Sequence, residues 1–262
     1  MPKNDFFVYI YYVKKIFFKF YFFVFKFLRK IFASLAETDF CEICATHCEF
    51  EKPVCADCER KFLAVKDLDE ERCSVCGRFL ISEEKMCMEC REGRILKSTD
   101  GVFPLFDYLL WYKKLLFRWK INGERRYSEY FAGLIYERVS QIEKKYGKVV
   151  LVPVPPRKGK IFEKGWDQIQ DLCFFLEVKF GCSVMGFFER VSFVQQKKLD
   201  RKERLETINN SYVLKKKIKS FPQNVCIIDD VLTTGSTIES CAFLLKSSGV
   251  SKVFAISLFI VS

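Results

Sequence analysis

The stretch VCIIDDVLTTGST, Val225 to Thr237, decides how this chain is read. The apolar run from Val225 to Ile228 predicts a buried strand, with Asp229 and Asp230 at its carboxyl end. Two carboxylates in that place can accept hydrogen bonds from the 2- and 3-hydroxyls of a ribose. They also lie where a Mg²⁺ held by those hydroxyls and a diphosphate would sit, which makes them the candidate catalytic pair. Thr233, Thr234, Gly235, Ser236 and Thr237 then offer successive backbone N–H groups and several hydroxyls around a small concavity. Gly235 permits a backbone bend and the close approach of an anion. A helix beginning near Ser236 turns its positive end to the same spot, so a 5-phosphate is well placed. The competing reading is an ordinary α/β loop, an Asp pair followed by a Thr or Ser N-cap.

Outward from this loop, apolar runs alternate with helical patterns, as βα units do. KVVLVPVP (Lys148 to Pro155) and KVFAISLFIV (Lys252 to Val261) read as two further buried strands. Helices are predicted near 109–120, 127–144, 166–179 and 236–248. β-branched strands buried on both faces and separated by helices imply an α/β fold, a mostly parallel sheet with helices on both faces.

Residues 37–93 have a different character. CEIC (Cys41, Cys44) is followed after ten residues by CADC (Cys55, Cys58), and CSVC (Cys73, Cys76) after ten residues by CMEC (Cys87, Cys90). The two halves repeat with an offset of 32 residues. Two residues between thiolates form a knuckle turn that brings both sulfurs to one tetrahedral Zn²⁺, and two knuckles complete a closed Cys₄ site. Gly77, directly after the third pair, suits the tight turn that follows. Two structural zinc ions are expected, with pairs one and two on the first and three and four on the second; spacing alone leaves a crossed pairing open. Redox-active dithiols or a cluster are the alternative chemistry. His47 and Cys48 break the spacing and read as loop residues.

The net charge of +11 is uneven: +6 over residues 1–36, −7 over 37–93 and +12 over the remainder. The acidic middle argues against a simple nucleic-acid-binding finger, and anionic partners are expected at the two ends. No cleavable secretory signal is visible, and the CxxC pattern suits a reducing compartment, so the cytoplasm is expected. Residues 1–36 mix Phe and Tyr with Lys, the basic residues falling on one side of a helical wheel. The uncharged run Phe6 to Val13 is far short of the ~18–20 apolar residues of a spanning helix. An in-plane amphipathic anchor through residues 6–32, in peripheral contact with the inner membrane, is one reading. A start codon placed too far upstream, and a helix packed on the protein itself, are the others.

The loop Val225–Thr237 resembles the phosphoribosyl-pyrophosphate (PRPP) motif of type I phosphoribosyltransferases. Over roughly residues 40–262 the chain resembles the ComF family of competence-associated proteins. The blocks that carry the likeness are the cysteine pairs, LFRWKINGERRYSEYFAGLI (Leu116 to Ile135), VPVPPRKGKIFEKGWDQI, QQKKLDRKERLETINNSY and the loop itself, in that order. Thr207 departs from the Asn usual there. The resemblance implies a type I phosphoribosyltransferase fold over 94–262, preceded by a double zinc ribbon over 37–93, with Mg²⁺ accompanying PRPP. It also implies that VPVPPRKGK is a diphosphate-binding loop, in which prolines such as Pro155 stiffen the turn and Arg157, Lys158 and Lys160 meet the diphosphate. GWDQ (Gly165 to Gln168) opens the next helix, and Gln196, Arg201 and Arg204 fall where such folds carry a mobile lid. A solvated basic loop is the alternative for that segment. The implied setting is DNA uptake in natural transformation, with the DNA-uptake machinery as partner. Two functions stay open: transfer of phosphoribose from PRPP, or non-catalytic binding of a related ribose phosphate, a nucleotide or single-stranded DNA through the same loop and the basic surface.

Overall fold

The computed structural model describes residues 40–49, 52–68, 71–93, 96–157, 159–190, 212–216, 218 and 220–261. The expectations for residues 1–36, Lys158 and the lid residues Gln196, Arg201 and Arg204 lie outside that set. Two compact units divide the chain, residues 1–56 and 57–262.

In the larger unit, β1 (Gly101–Asp107) is followed by α1 (Leu110–Lys120), α2 (Arg126–Tyr146), β2 (Val150–Pro153), α3 (Lys160–Lys164) and α4 (Gln168–Val178). Then come β3 (Phe188–Arg190), β4 (Tyr212–Leu214), β5 (Asn224–Leu232), α5 (Ser236–Ser247) and β6 (Lys252–Ile260). Four strands form a sheet in the order β1-β6-β5-β2, every neighbouring pair parallel. β3 and β4 pair antiparallel on their own.

Burial explains the central strands. Every residue of β6 after Lys252 is buried, and β5 is buried from Val225 to Ile228, as a parallel sheet covered on both faces requires. Alternation sorts the partners. Val253 and Ala255 join Val225 and Ile227 in a cluster with Ile238, Ala242 and Leu245 of α5. Phe254 instead meets Tyr146 of α2, ring centroids 4.8 Å apart. Phe259 also meets Phe131 of α2, edge-on at 6.0 Å, while Ile260 joins the α5 cluster, so the alternation seen at Val253–Ala255 does not run unbroken to the end of β6. The expected α/β architecture, a parallel sheet with helices on both faces, is the one observed.

The second cysteine module belongs to that core. Cys73, Cys76, Cys87 and Cys90 are buried within the same cluster as Val102 of β1 and the α5 residues. Arg72 donates to the carbonyls of Gly77 (3.0 Å) and Pro104 (3.2 Å) while its guanidinium lies 3.7 Å over the ring of Phe79. Arg78 donates to the Val261 carbonyl at 2.8 Å. Gly77 has φ +71°, and a Cβ there would stand 1.7 Å from the carbonyl oxygen of Val102. Glycine is therefore required twice, for the turn and for the contact.

The 32-residue repeat of the sequence is also a repeat of backbone. In the first module Cys41 N donates to Thr46 O at 2.8 Å and Ala45 N to Cys41 O at 2.9 Å. In the second, Cys73 N donates to Arg78 O at 2.8 Å and Gly77 N to Cys73 O at 2.9 Å. The bridges Phe40↔His47 and Arg72↔Phe79 correspond in the same way. Ala45, with φ 60°, occupies the position of Gly77.

Candidate functional site

A cavity of about 470 Å³ opens at the carboxyl ends of β2 and β5. Parallel sheets place ligands there because loops and helix N-termini converge at that edge. β2 pairs with β5 only as far as Pro153↔Ile228, and the last bond between them runs from Val154 N to Ile228 O at 3.0 Å. Beyond Ile228 the chain after β2 diverges, which leaves Asp229 and Asp230 facing the gap. Both line the cavity.

From the loop, Thr233 and Thr237 reach the cavity wall. Thr234, Gly235 and Ser236 make the turn between them: Thr234 Oγ1 lies 3.0 Å from Ser236 Oγ, and Gly235 has φ +88°. A Cβ on Gly235 would stand 2.8 Å from Cγ of Leu96. The chain after the cysteine module is tied to the same helix, since Glu239 accepts from the backbone N–H of Lys97 (2.7 Å) and Ser98 (2.9 Å). Pro155 and Arg157 of the expected diphosphate loop also line the cavity, together with Lys160 and Lys164.

Three of the site's cations, Lys120, Lys160 and Arg157, are paired with neighbouring carboxylates. Lys120 Nζ lies 2.6 Å from Asp230 Oδ2, and Gln168 Nε2 donates to the same oxygen at 2.7 Å. Lys160 Nζ meets Asp167 Oδ2 at 2.7 Å and also donates to the Gln168 side chain. Arg157 pairs with Glu163 through both guanidinium nitrogens. Asp167 has a second task as N-cap of α4, its Oδ1 accepting from Ile169 N (3.1 Å) and Gln170 N (3.0 Å). Burial, and then the charge of Asp230, push the Asp229 carboxyl up to about 8; the N–H of Asp230, donating to Asp229 Oδ1 at 2.8 Å, acts in the opposite direction.

The hairpin β3–β4 supplies Arg190 and Tyr212 to the wall. They face each other in register, the guanidinium 5.6 Å from the ring centroid. Burial raises the Tyr212 phenol above its ordinary range. Lys120, Lys164, Asp167, Arg190 and Tyr212 are site residues that the sequence reading assigned no role. Among these, Asp167 had a local signal as part of GWDQ, the block that opens the helix.

The eight paired cysteines gather as two sets, Cys41/Cys44/Cys55/Cys58 and Cys73/Cys76/Cys87/Cys90, the sulfurs of each lying within 4.8 Å of one another. This is the sequential arrangement. Four thiols at that separation fit a closed metal site of the structural kind. Among the described residues no helix is long and apolar enough to cross a membrane.

No family model matches the chain. Its sequence is similar to the competence protein ComFC of Streptococcus pneumoniae R6, 26% identical over 209 residues that cover 78% of this chain and 86% of the relative. Competence protein F of Haemophilus influenzae is 23% identical over 209 residues, covering 76% and 87%. ComFC of Bacillus subtilis is 26% identical over 214 residues, covering 76% and 80%. Among solved structures, a Trypanosoma cruzi hypoxanthine phosphoribosyltransferase superposes with a TM-score of 0.35 at 15% identity, over 52% of this chain and 66% of that one. A Helicobacter pylori xanthine-guanine-hypoxanthine phosphoribosyltransferase gives a TM-score of 0.30 at 22% identity, over 47% and 69%.

Proposed function

We propose that this chain, a relative of the ComF-type competence proteins, binds PRPP with Mg²⁺ at the β2–β5 cavity and serves DNA uptake in natural transformation. The observation that carries the reading is the convergence on one cavity of Asp229 and Asp230, the Thr233–Thr237 turn at the N-terminus of α5, and a wall of cationic side chains from the Pro155–Lys164 segment. Each meets a different part of the ligand. The paired carboxylates accept the ribose hydroxyls. The turn's amides and hydroxyls hold the 5-phosphate against the positive end of the helix. Arg157, Lys158 and Lys160 receive the diphosphate.

Mg²⁺, when bound, neutralises the diphosphate and favours its departure. Charge stabilisation of that leaving group and positioning of the anomeric carbon would supply most of any acceleration. The two Cys₄ sets hold structural zinc on this reading, which suits a reducing, cytoplasmic setting.

Calorimetric titration with PRPP in the presence and absence of Mg²⁺ tests the proposal. Saturable, Mg²⁺-dependent binding that is lost in Asp230→Asn supports it, and no heat with the wild-type protein ends it. Pyrophosphate release on adding candidate acceptors separates a transferase from a binding protein. The second reading, single-stranded DNA on the basic surface, is favoured by the exposed face of α1, where Lys113 and Phe117 lie open to solvent. That binding would weaken steeply with salt and would survive Asp229→Asn/Asp230→Asn.

A further inference from the structure

The geometry points to Lys120 as a built-in counter-cation that holds the place of the divalent metal and passes to the diphosphate when metal arrives. This rests on the Mg²⁺-diphosphate reading of the cavity. Lys120 is the last residue of α1, far in sequence from every motif that defines the site. Its neighbour Trp119 fixes its direction: the indole is fully buried, donates to Ser128 Oγ at 2.8 Å and packs edge-on against Phe131. With that anchor set, the Lys120 side chain reaches the cavity and its ammonium lies 2.6 Å from Asp230.

Lys120 and Gln168 share one oxygen of Asp230 from two different helices. Lys120 also acts on Asp229, drawing its carboxyl toward the ionised form against burial. The ammonium therefore balances a carboxylate pair that is expensive to leave charged and unpartnered. A metal-free anion entering the cavity could recruit Lys120 only by stripping Asp230 of its cationic partner, leaving the neutral amide of Gln168 alone on that oxygen. A ligand that arrives with a divalent cation replaces the lost charge, and the freed ammonium turns to the incoming diphosphate. Lys120 is thus a specificity-determining residue that couples anion binding to metal binding, because the two partners compete for one cation.

Two signs of opposite direction follow. Removing the ammonium removes a cation that competes for Asp230, so a bare divalent ion would bind more tightly there. It also removes one donor from the diphosphate, so the metal-anion complex binds more weakly. The test uses the full-length, zinc-loaded protein with Mn²⁺ as the metal probe and inorganic diphosphate as the anion. Affinities for Mn²⁺ alone, and for diphosphate at saturating Mn²⁺, are measured for wild type, Lys120→Met, Lys120→Gln and Lys120→Arg.

The expected result is Mn²⁺ affinity raised at least about tenfold in the Met and Gln variants and diphosphate affinity lowered about tenfold, with Arg close to wild type. A role in packing alone would move both affinities the same way or neither. Mn²⁺ binding that is unchanged or weaker in both neutral variants overturns the inference, as does diphosphate binding that does not fall. Wild-type protein that binds Mn²⁺ but no diphosphate would instead overturn the PRPP reading, and the Mn²⁺ comparison would still decide the role of Lys120.

Discussion

Replacing Gly77 by alanine measures how firmly the second cysteine module is seated on the sheet. Two costs arise at that position. The first is conformational: φ is +71°, and an L-residue in the left-handed region costs about 1–2 kcal/mol. The second is contact, because the added Cβ falls 1.7 Å from the Val102 carbonyl oxygen and 2.8 Å from Pro104 Cδ. Val102 is held in register between Gly101↔Phe254 and Phe103↔Ile256, so the carbonyl cannot retreat without disturbing the β1–β6 pairing. Overpacking of this kind costs about 1–3 kcal/mol.

Gly181 provides the control, with φ +69° and nothing within 4 Å of the position a Cβ would take. Gly181→Ala therefore carries the first cost and not the second, and the entropic effect of alanine on the unfolded chain is common to both. Gly77→Ala should fall below Gly181→Ala by about 1–3 kcal/mol, a large share of the ~5–15 kcal/mol that holds a domain folded. Urea unfolding followed by tryptophan fluorescence gives both values, since Trp119 is buried in the α/β core. Variants equal within about 0.5 kcal/mol would show that the module does not rest on β1, and the core described above would need redrawing.

Stripping metal with a strong chelator should lower the unfolding midpoint followed by tryptophan fluorescence, because Cys73, Cys76, Cys87 and Cys90 share one cluster with α5; a midpoint that does not move would refute that coupling. Asp229→Asn should stabilise the ligand-free protein increasingly as pH rises. The folded carboxyl is raised to about 8 from an ordinary value of 3.8, so the wild type gives up stability between those two pH values and the variant does not. The gain should be near zero around pH 4 and level off above about pH 8; thermal melts across that range would show it, and a gain confined to low pH would contradict the buried-carboxylate account. Asp167→Ala should cost about 1–2 kcal/mol in urea unfolding from the lost N-cap of α4. Asp167→Thr, able to cap but unable to form the ion pair with Lys160, should restore part of that loss.

The parts of the fold that the sequence made legible are those whose signal is local. β5 and β6 are buried on both faces, so their residues form unbroken apolar runs, and the predicted strands over 225–230 and 252–261 agree with Asn224–Leu232 and Lys252–Ile260. The four predicted helices likewise fall on α1, α2, α4 and α5. β1 escaped because Pro104 interrupts its pattern, a residue that only an edge strand tolerates. β3 and β4 are three residues each, too short for alternation to register. At the site, the carboxylates and the glycine turn announce themselves because their chemistry lies within thirteen consecutive residues. Arg190 does not, and Lys120, although inside the block Leu116 to Ile135, has nothing local that marks it as a cavity residue; only the tertiary path of α1 and of the β3–β4 hairpin brings them to the cavity.

β6 follows every other strand in sequence yet lies between β1 and β5. At ribosomal speeds of about 5–20 residues per second, the interval between completing β1 and beginning β6 is roughly 7–30 s. Throughout that interval the β1 segment has no strand to pair with, and its apolar residues are candidates for chaperones or for aggregation. The cysteine knuckles need only near neighbours in sequence and can close around metal long before. If these sets hold metal as proposed, the nascent chain would carry a closed metal module before its sheet exists, and metal scarcity during synthesis would be felt before any ligand could rescue the protein.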